Sequence, residues 1–106
     1  MRKDEFMKQI DGCKMPENFN QDLLDKASEM LLKWGKSWHM NEREYLFKNF
    51  GLDDAKGDGE EIRREKDALR CVAAKMMDLQ ISNQDASTIM KNLNRIKNPD
   101  YNMGFQ

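Results

Sequence analysis

The residues best suited to catalysis in this sequence are one histidine, His39, and two cysteines, Cys13 and Cys71. A histidine can serve as the general base for a thiol when the two side chains lie within hydrogen-bonding distance. No motif places either cysteine beside His39, which follows Trp38 at a predicted turn. We therefore interpret His39 as a half-buried turn residue and predict a protein that has no catalytic residues and is not an enzyme. A cysteine–histidine enzyme stays open as an alternative, and it predicts a thiol that alkylates fast at neutral pH.

Metal binding is the second chemistry that the residue types allow. A four-coordinate zinc site needs more cysteine and histidine ligands, at closer spacing, than this chain offers. The segment 54–65 partly resembles the calcium loop of an EF-hand. The residues that match the first, fifth, sixth and twelfth positions of that loop are Asp54, Asp58, Gly59 and Glu65.

Two residues of the same segment depart from the calcium motif. Lys56 takes the third position, where an oxygen ligand belongs and a cation repels the metal, and Glu61 takes the eighth, which is normally aliphatic. A glycine-containing turn, followed by a helix that Asp58 and Glu61 cap, explains the pattern equally well. We therefore predict no metal ligands and no cofactor, and keep a single degenerate calcium loop at residues 54–65 as an alternative.

A DNA-binding hairpin is the third possibility, since residues 70–97 have the spacing of a helix-turn-helix. Its second helix is predicted to expose side chains that can reach base edges or phosphates: Asn83, Gln84, Ser87, Thr88 and Lys91. Three residues argue against it: Met76 where a small residue is usual, Gln80 where glycine is usual, and Asp85, which would face phosphates. An ordinary helical hairpin explains the same pattern.

The composition limits the classes of partner. The chain has 106 residues, 18 of them basic and 19 acidic, so it suits one domain and has no net field that attracts nucleic acid or a membrane. No apolar run is long enough to cross a bilayer, and the N-terminal residues lack the apolar stretch of a signal peptide. We therefore expect a cytoplasmic protein without membrane contact, with both cysteines reduced.

The apolar pattern predicts an all-α fold, because β-branched residues are scarce and no run alternates between apolar and polar. Predicted helices cover about residues 3–11, 20–37, 42–50, 59–79 and 83–98. They should form a compact bundle of four to five helices with short connections in residues 1–98, followed by a short tail at 99–106.

Capping residues set the predicted ends of these helices. Three capping boxes are predicted: Asn41 with Glu44, Asp58 with Glu61, and Ser82 with Asp85. Gly12 and Gly51 are expected to end their helices in the left-handed conformation, and Leu52 to fold back on Phe47. We also expect Tyr45 to pack against Met40, and the charged start of the fourth helix to project into solvent.

Apolar residues that do not fit the core indicate a binding surface. Leu32 lies opposite the apolar stripe of the second helix, and Cys71 lies opposite that of the fourth. The chain also has nine methionines, most of which should fill gaps in the core, and methionine is common on surfaces that adapt to partners. The sequence therefore predicts a small non-enzymatic protein–protein interaction module: an adaptor, inhibitor or regulator that covers a partner's surface. The predicted partner-binding residues are Leu32, Trp38, Met40, Tyr101 and Phe105. Self-association and a DNA-binding regulator stay open.

Overall fold

The computed structural model describes residues 3–34 and 40–96. Six helices lie within these ranges: α1 Lys3–Gln9, α2 Gln21–Lys33, α3 Met40–Asn49, α4 Glu60–Asp78, α5 Asn83–Lys91 and α6 Leu93–Ile96. The same ranges contain no β-strand, which confirms the all-α prediction. In these parts of the chain, no helix combines the length and the apolar content that crossing a membrane requires.

The centre of the fold is α2, which begins where the sequence predicts. Asn20 caps it, since the side chain of Asn20 accepts a 2.8 Å hydrogen bond from the Asp22 amide. The apolar stripe expected from the 3.6-residue period is buried. Its members in the described range are Leu23, Leu24, Ala27, Met30, Leu31 and Trp34.

Helices α2 and α5 pack along their length and run antiparallel. Three hydrogen-bonded pairs show the direction: Gln21 with Lys91, Ser28 with Ser87, and Leu32 with Asn83. The middle pair is buried, and its two hydroxyl oxygens lie 2.6 Å apart. Because each hydroxyl has a partner, the pair fixes the register of the two helices without leaving a polar group unsatisfied.

The remaining helices complete one core around α2 and α5. The apolar face of α4 supplies Leu69, Val72, Ala73, Met76 and Met77, and α6 adds Leu93 and Ile96. Phe6 and Ile10 bring α1 and the turn after it into the same cluster. Phe47 of α3 and Leu52 belong to the same cluster, so the core includes residues from all six described helices.

Two of the helix ends use the same backbone motif with different residues. After α3, Gly51 has a φ of 71°, and the Leu52 amide donates to the Phe47 carbonyl oxygen over 2.8 Å, which confirms the predicted arrangement. After α4, Gln80 takes the glycine position with a φ of 54°, and the Ile81 amide donates to the Met76 carbonyl oxygen over 3.2 Å.

The Gln80→Gly variant should be more stable than the parent by about 0.5–1 kcal/mol, because glycine adopts positive φ without steric cost. The Gly51→Ala variant should lose about 1–2 kcal/mol, since a Cβ is unfavourable in that conformation. Nothing lies within 4 Å of a Cβ placed at Gly51, so crowding does not contribute. Urea denaturation of both variants measures the difference, and changes of the same sign in the two would contradict this explanation.

Other predicted ends are wrong. The residue that caps α4 is Gly59 rather than Asp58, whose carboxylate binds a lysine instead. Helix α3 already contains Met40, so Asn41 is not its cap. Gly12 does not have a positive φ. The last predicted helix is interrupted at Asn92, whose side chain donates to the Thr88 carbonyl oxygen over 2.8 Å and separates α5 from α6.

The two cysteines form a disulfide, so the expectation of reduced thiols is wrong for this structure. The Cys13 and Cys71 sulfurs are 2.05 Å apart, and their Cα atoms are 5.7 Å apart. The bond joins the connection that follows α1 to the middle of α4, across 58 positions in sequence. Spacing along the chain did not predict it, because packing in three dimensions brings the two residues together.

Candidate functional site

Leu32 is the predicted partner-binding residue whose side chain the structure describes, and it is 50% exposed. Its neighbour Leu31 is fully buried, so the α2 backbone directs the two leucines to opposite environments. The side-chain nitrogen of Asn83 donates to the Leu32 carbonyl oxygen over 3.2 Å. Leu32 therefore lies where the last turn of α2 meets the first turn of α5.

Charged groups flank Leu32 on α2. Lys33 forms an ion pair with Glu29 over 3.2 Å, and both side chains are exposed. The Lys33 ammonium also lies 5.9 Å from the centre of the Phe50 ring, which brings the end of α3 close to the end of α2. We call Leu32, Glu29, Lys33 and Asn83 the Leu32 surface.

Tyr45 is a second exposed apolar side chain, and its exposure was not predicted from the sequence. It is 67% exposed on α3, so it is not a core residue, and the predicted contact with Met40 lies outside the described side chains. The helical period explains the difference, because residues two apart point in nearly opposite directions and Phe47 is the one that enters the core. Arg43 holds α3 in this orientation through a 2.7 Å ion pair with Asp78 of α4.

The other predicted partner-binding residues cannot be placed on this surface. Trp38, Tyr101 and Phe105 lie outside the described residues, as does His39. Met40 is the first residue of α3, but its side chain also lies outside the described set. Whether these residues join Leu32 in one surface stays a prediction.

The loop between α3 and α4, which carries the calcium alternative, is bound by two basic side chains of α4. Lys66 is only 7% exposed, and its ammonium donates to the Asp58 carboxylate over 2.7 Å and to the Asp53 carbonyl oxygen over 3.1 Å. Arg70 donates to the Leu52 carbonyl oxygen and, over 3.4 Å, to the Asp54 carboxylate. The two aspartates that a calcium ion would use, Asp58 and Asp54, are therefore already paired with Lys66 and Arg70.

Glu65, the residue at the twelfth calcium-loop position, turns away from this loop. It is 5% exposed, and its carboxylate accepts a hydrogen bond from the Asn20 amide at the start of α2. No three acidic, histidine or cysteine side chains among the described residues form a group able to hold a metal ion. The burial of Glu65 and Lys66 also contradicts the prediction that the whole charged start of α4 projects into solvent.

The Lys66 ammonium, by its hydrogen bond, lowers the pKa of Asp58 below its ordinary value of 3.8, and the hydrogen bond from the Ala55 amide adds to this effect. A carboxylate whose pKa is lower in the folded state stabilises the fold above its ordinary pKa. That contribution is lost as the pH falls through the folded-state pKa. We therefore expect Asp58 to contribute to acid denaturation below 3.8.

The Asp58→Asn variant tests this linkage, because asparagine can still accept the Ala55 hydrogen bond but does not titrate. The urea midpoint of the parent protein should fall more steeply below pH 3.8 than that of Asp58→Asn. At neutral pH the parent should be the more stable protein, and the difference should shrink as the pH falls. Parallel pH curves for the two proteins would show that Lys66 does not bind Asp58 in solution.

The hairpin formed by α4 and α5 keeps some features of the DNA-binding alternative and lacks others. Gln80 adopts the left-handed conformation for which glycine is usual in that turn, and Ser82 caps α5 as predicted, over 3.2 Å to the Asp85 amide. Ser87, expected on the exposed side, is instead buried against α2. Gln84, Thr88 and Lys91 are exposed.

An open groove of about 1080 Å³ lies beside the disulfide. Residues 12–17 form one wall, and residues of the first three turns of α4 form the other. Both half-cystines line it, with Cys71 partly exposed and Cys13 only 4% exposed. In this structure neither cysteine is the free thiol that the cysteine–histidine alternative requires.

No protein-family model, curated protein or solved structure matches this chain.

Proposed function

We propose that this protein is a protein-binding module and that the Leu32 surface contacts the partner. The observation that supports the proposal is the half-exposed Leu32 at the junction of α2 and α5, next to Leu31, which is fully buried. An exposed leucine costs free energy in water and gains it when a partner covers it. A few such anchors supply most of the binding energy of a typical interface.

The structure around Leu32 suits such an anchor. The backbone of α2 is fixed by the buried Ser28–Ser87 pair and by the Asn83 hydrogen bond, so the leucine is presented by a rigid support. A preformed contact residue loses little conformational entropy on binding. The surrounding charges of Glu29 and Lys33 give the surface a polar rim.

A photoreactive amino acid introduced in place of Leu32 tests the proposal in the cells that make the protein. We expect one discrete crosslinked protein; if the module self-associates, that protein is a second copy of this chain. The same group at Lys26, which is also exposed on α2, should give no such product. Equal crosslinking at both positions, or none at Leu32, would reject the surface.

A second candidate is a DNA-binding regulator that uses α5. The left-handed Gln80 and the shared polar face of Gln84, Thr88 and Lys91 favour it. The net charge argues against DNA binding, since the chain has 18 basic and 19 acidic residues. DNA binding should weaken as the salt concentration rises and in the Lys91→Glu variant. The control variant Lys26→Glu makes the same charge change on α2 and should weaken DNA binding less. Equal losses would exclude α5 as the reading helix.

We also propose that the protein is cytoplasmic. Disulfides in cytosolic proteins are usually transient or redox-sensing, whereas those of exported proteins are permanent. A cytoplasmic location therefore requires the Cys13–Cys71 bond to be reversible. Fractionation of cells with rapid alkylation of free thiols distinguishes the two cases.

A further inference from the structure

The groove beside the disulfide runs along one side of α4. Its helical wall extends from Glu60, the first residue of α4, to Cys71. At about 1.5 Å per residue, these two positions are about 16 Å apart along the helix axis. An extended peptide advances about 3.3 Å per residue, so a segment of about five residues matches the length of this wall.

The opposite wall is the connection after α1, and it is fixed at several points. The disulfide joins Cys13 to α4, and Met15 packs against the core. Pro16 and Glu17 make interactions of their own, and hydrogen bonds of 2.7 and 2.9 Å tie Phe19 to α6. Both walls are therefore in place before a ligand arrives, and a preformed site loses little conformational entropy on binding.

The end of the groove near Cys71 is apolar. There the disulfide joins the two walls, and the other apolar residues that line the groove are Met15, Pro16 and Ala68. Met15, Pro16 and Cys71 are each only partly buried, so apolar surface is left in contact with water. A ligand side chain that covers this surface gains free energy from the burial.

The charged groups of the groove are mainly acidic. Its lining contains four carboxylates and two basic groups, and therefore two more negative than positive charges: Glu17, Glu60, Glu61 and Asp67 against Lys14 and Arg64. The formal net charge of the whole chain is only −1. The excess of negative charge is thus located in the groove, and it favours a ligand of positive charge.

Glu61 is the carboxylate best placed to bind such a ligand. Glu60 pairs with Arg64 over 2.9 Å, and Asp67 pairs with Arg70. Among the residues that the structure describes, the exposed Glu61 carboxylate has no ion pair. Because Glu61 lies ten positions before Cys71 on α4, the groove is acidic at one end and apolar at the other.

We propose that this groove binds a short, extended, basic peptide segment of a partner protein. An apolar side chain of the segment covers Met15, Pro16 and the disulfide, and a lysine or arginine binds Glu61. The groove is a second binding site, and the proposal does not rest on the Leu32 surface.

Selection from random heptapeptides displayed on phage tests the chemistry of the ligand. The immobilised target is the full chain with its disulfide formed. We expect the enriched peptides to combine lysine or arginine with at least one large apolar residue. Enrichment of acidic or uncharged peptides, or no enrichment, would overturn the proposal.

Fluorescence polarisation with the enriched peptide, synthesised with a fluorescein label, tests the role of Glu61. Glu61→Lys should weaken binding on the order of fivefold, because it replaces a charge attraction with a repulsion. Asp85→Lys is the matched control, since it reverses a charge in the first turn of α5, outside the groove. Circular dichroism checks that both variants fold, and equal losses of affinity would reject the groove. Leu32→Ala should leave the affinity unchanged, which separates this site from the Leu32 surface.

Two measurements on the parent protein need no variant. A peptide whose large apolar residue is replaced by serine should bind on the order of tenfold more weakly, because it no longer covers the apolar end of the groove. In NMR titration with the original peptide, the backbone amides of residues 12–17 and 60–71 should show the largest shifts. An unchanged affinity of the serine peptide, or shifts confined to α2 and α5, would contradict the proposal.

Discussion

The Cys13→Ala/Cys71→Ala variant is expected to lose about 4 kcal/mol of unfolding free energy relative to the oxidised parent. The bond closes a loop of 58 residues, and closing a loop of that length restricts the unfolded chain strongly. Chain-entropy arguments give about 4 kcal/mol for such a loop, within the observed range of about 2–5. Urea denaturation at neutral pH measures the difference between the two proteins.

The parent protein in reductant is the matched control for this variant. Reduced parent and double variant should have similar urea midpoints, because both lack the crosslink and neither changes the apolar face of α2 or α5. Adding reductant to the double variant should have no effect. If oxidised parent and double variant unfold at the same denaturant concentration, the disulfide does not form in the folded protein.

The helices could be predicted because their signals are local. The period of apolar residues in α2 and the capping residue Ser82 of α5 lie within a few positions of the structures they determine. Gly51 likewise ends α3 through bonds to residues just before it. Such features need no knowledge of what packs on the helix, so a single sequence is enough to predict them.

The errors concern residues whose partners are distant in sequence. Asp58 is a residue type that often caps helices. In the structure its carboxylate binds Lys66, and Gly59 takes the capping position. Glu65 appears within a run of charges, yet it is buried because the Asn20 amide needs an acceptor. The sequence contains both partners in each case, but it does not show that the fold brings them together.

The candidate surface could be predicted only where helical periodicity alone decides which residue is exposed. Leu32 was identified correctly as lying off the buried stripe, since the period of α2 is regular. Tyr45 was missed because α3 has apolar residues on more than one side, so periodicity did not decide which of them is buried. Cys71 also lies off its stripe, but its partner is Cys13 and not another protein.

Replacing Leu31 by alanine should cost about 2–5 kcal/mol, whereas the same change at Leu32 should stay within about 0.5 kcal/mol. The two residues are adjacent in one helix and lose the same atoms, so helix propensity cancels in the comparison. The two substitutions therefore differ in the burial of the leucine that is removed: Leu31 is enclosed in the core, and Leu32 is half exposed. Urea denaturation of the two variants provides the measurement.

The same pair separates stability from binding. Leu32→Ala should weaken capture of the partner identified by crosslinking while leaving the urea midpoint nearly unchanged, because the leucine contributes its apolar area to the complex rather than to the fold. A large loss of stability at Leu32 would mean that other parts of this chain already cover it. The exposed leucine would then be a core residue, and the Leu32 surface would no longer account for binding.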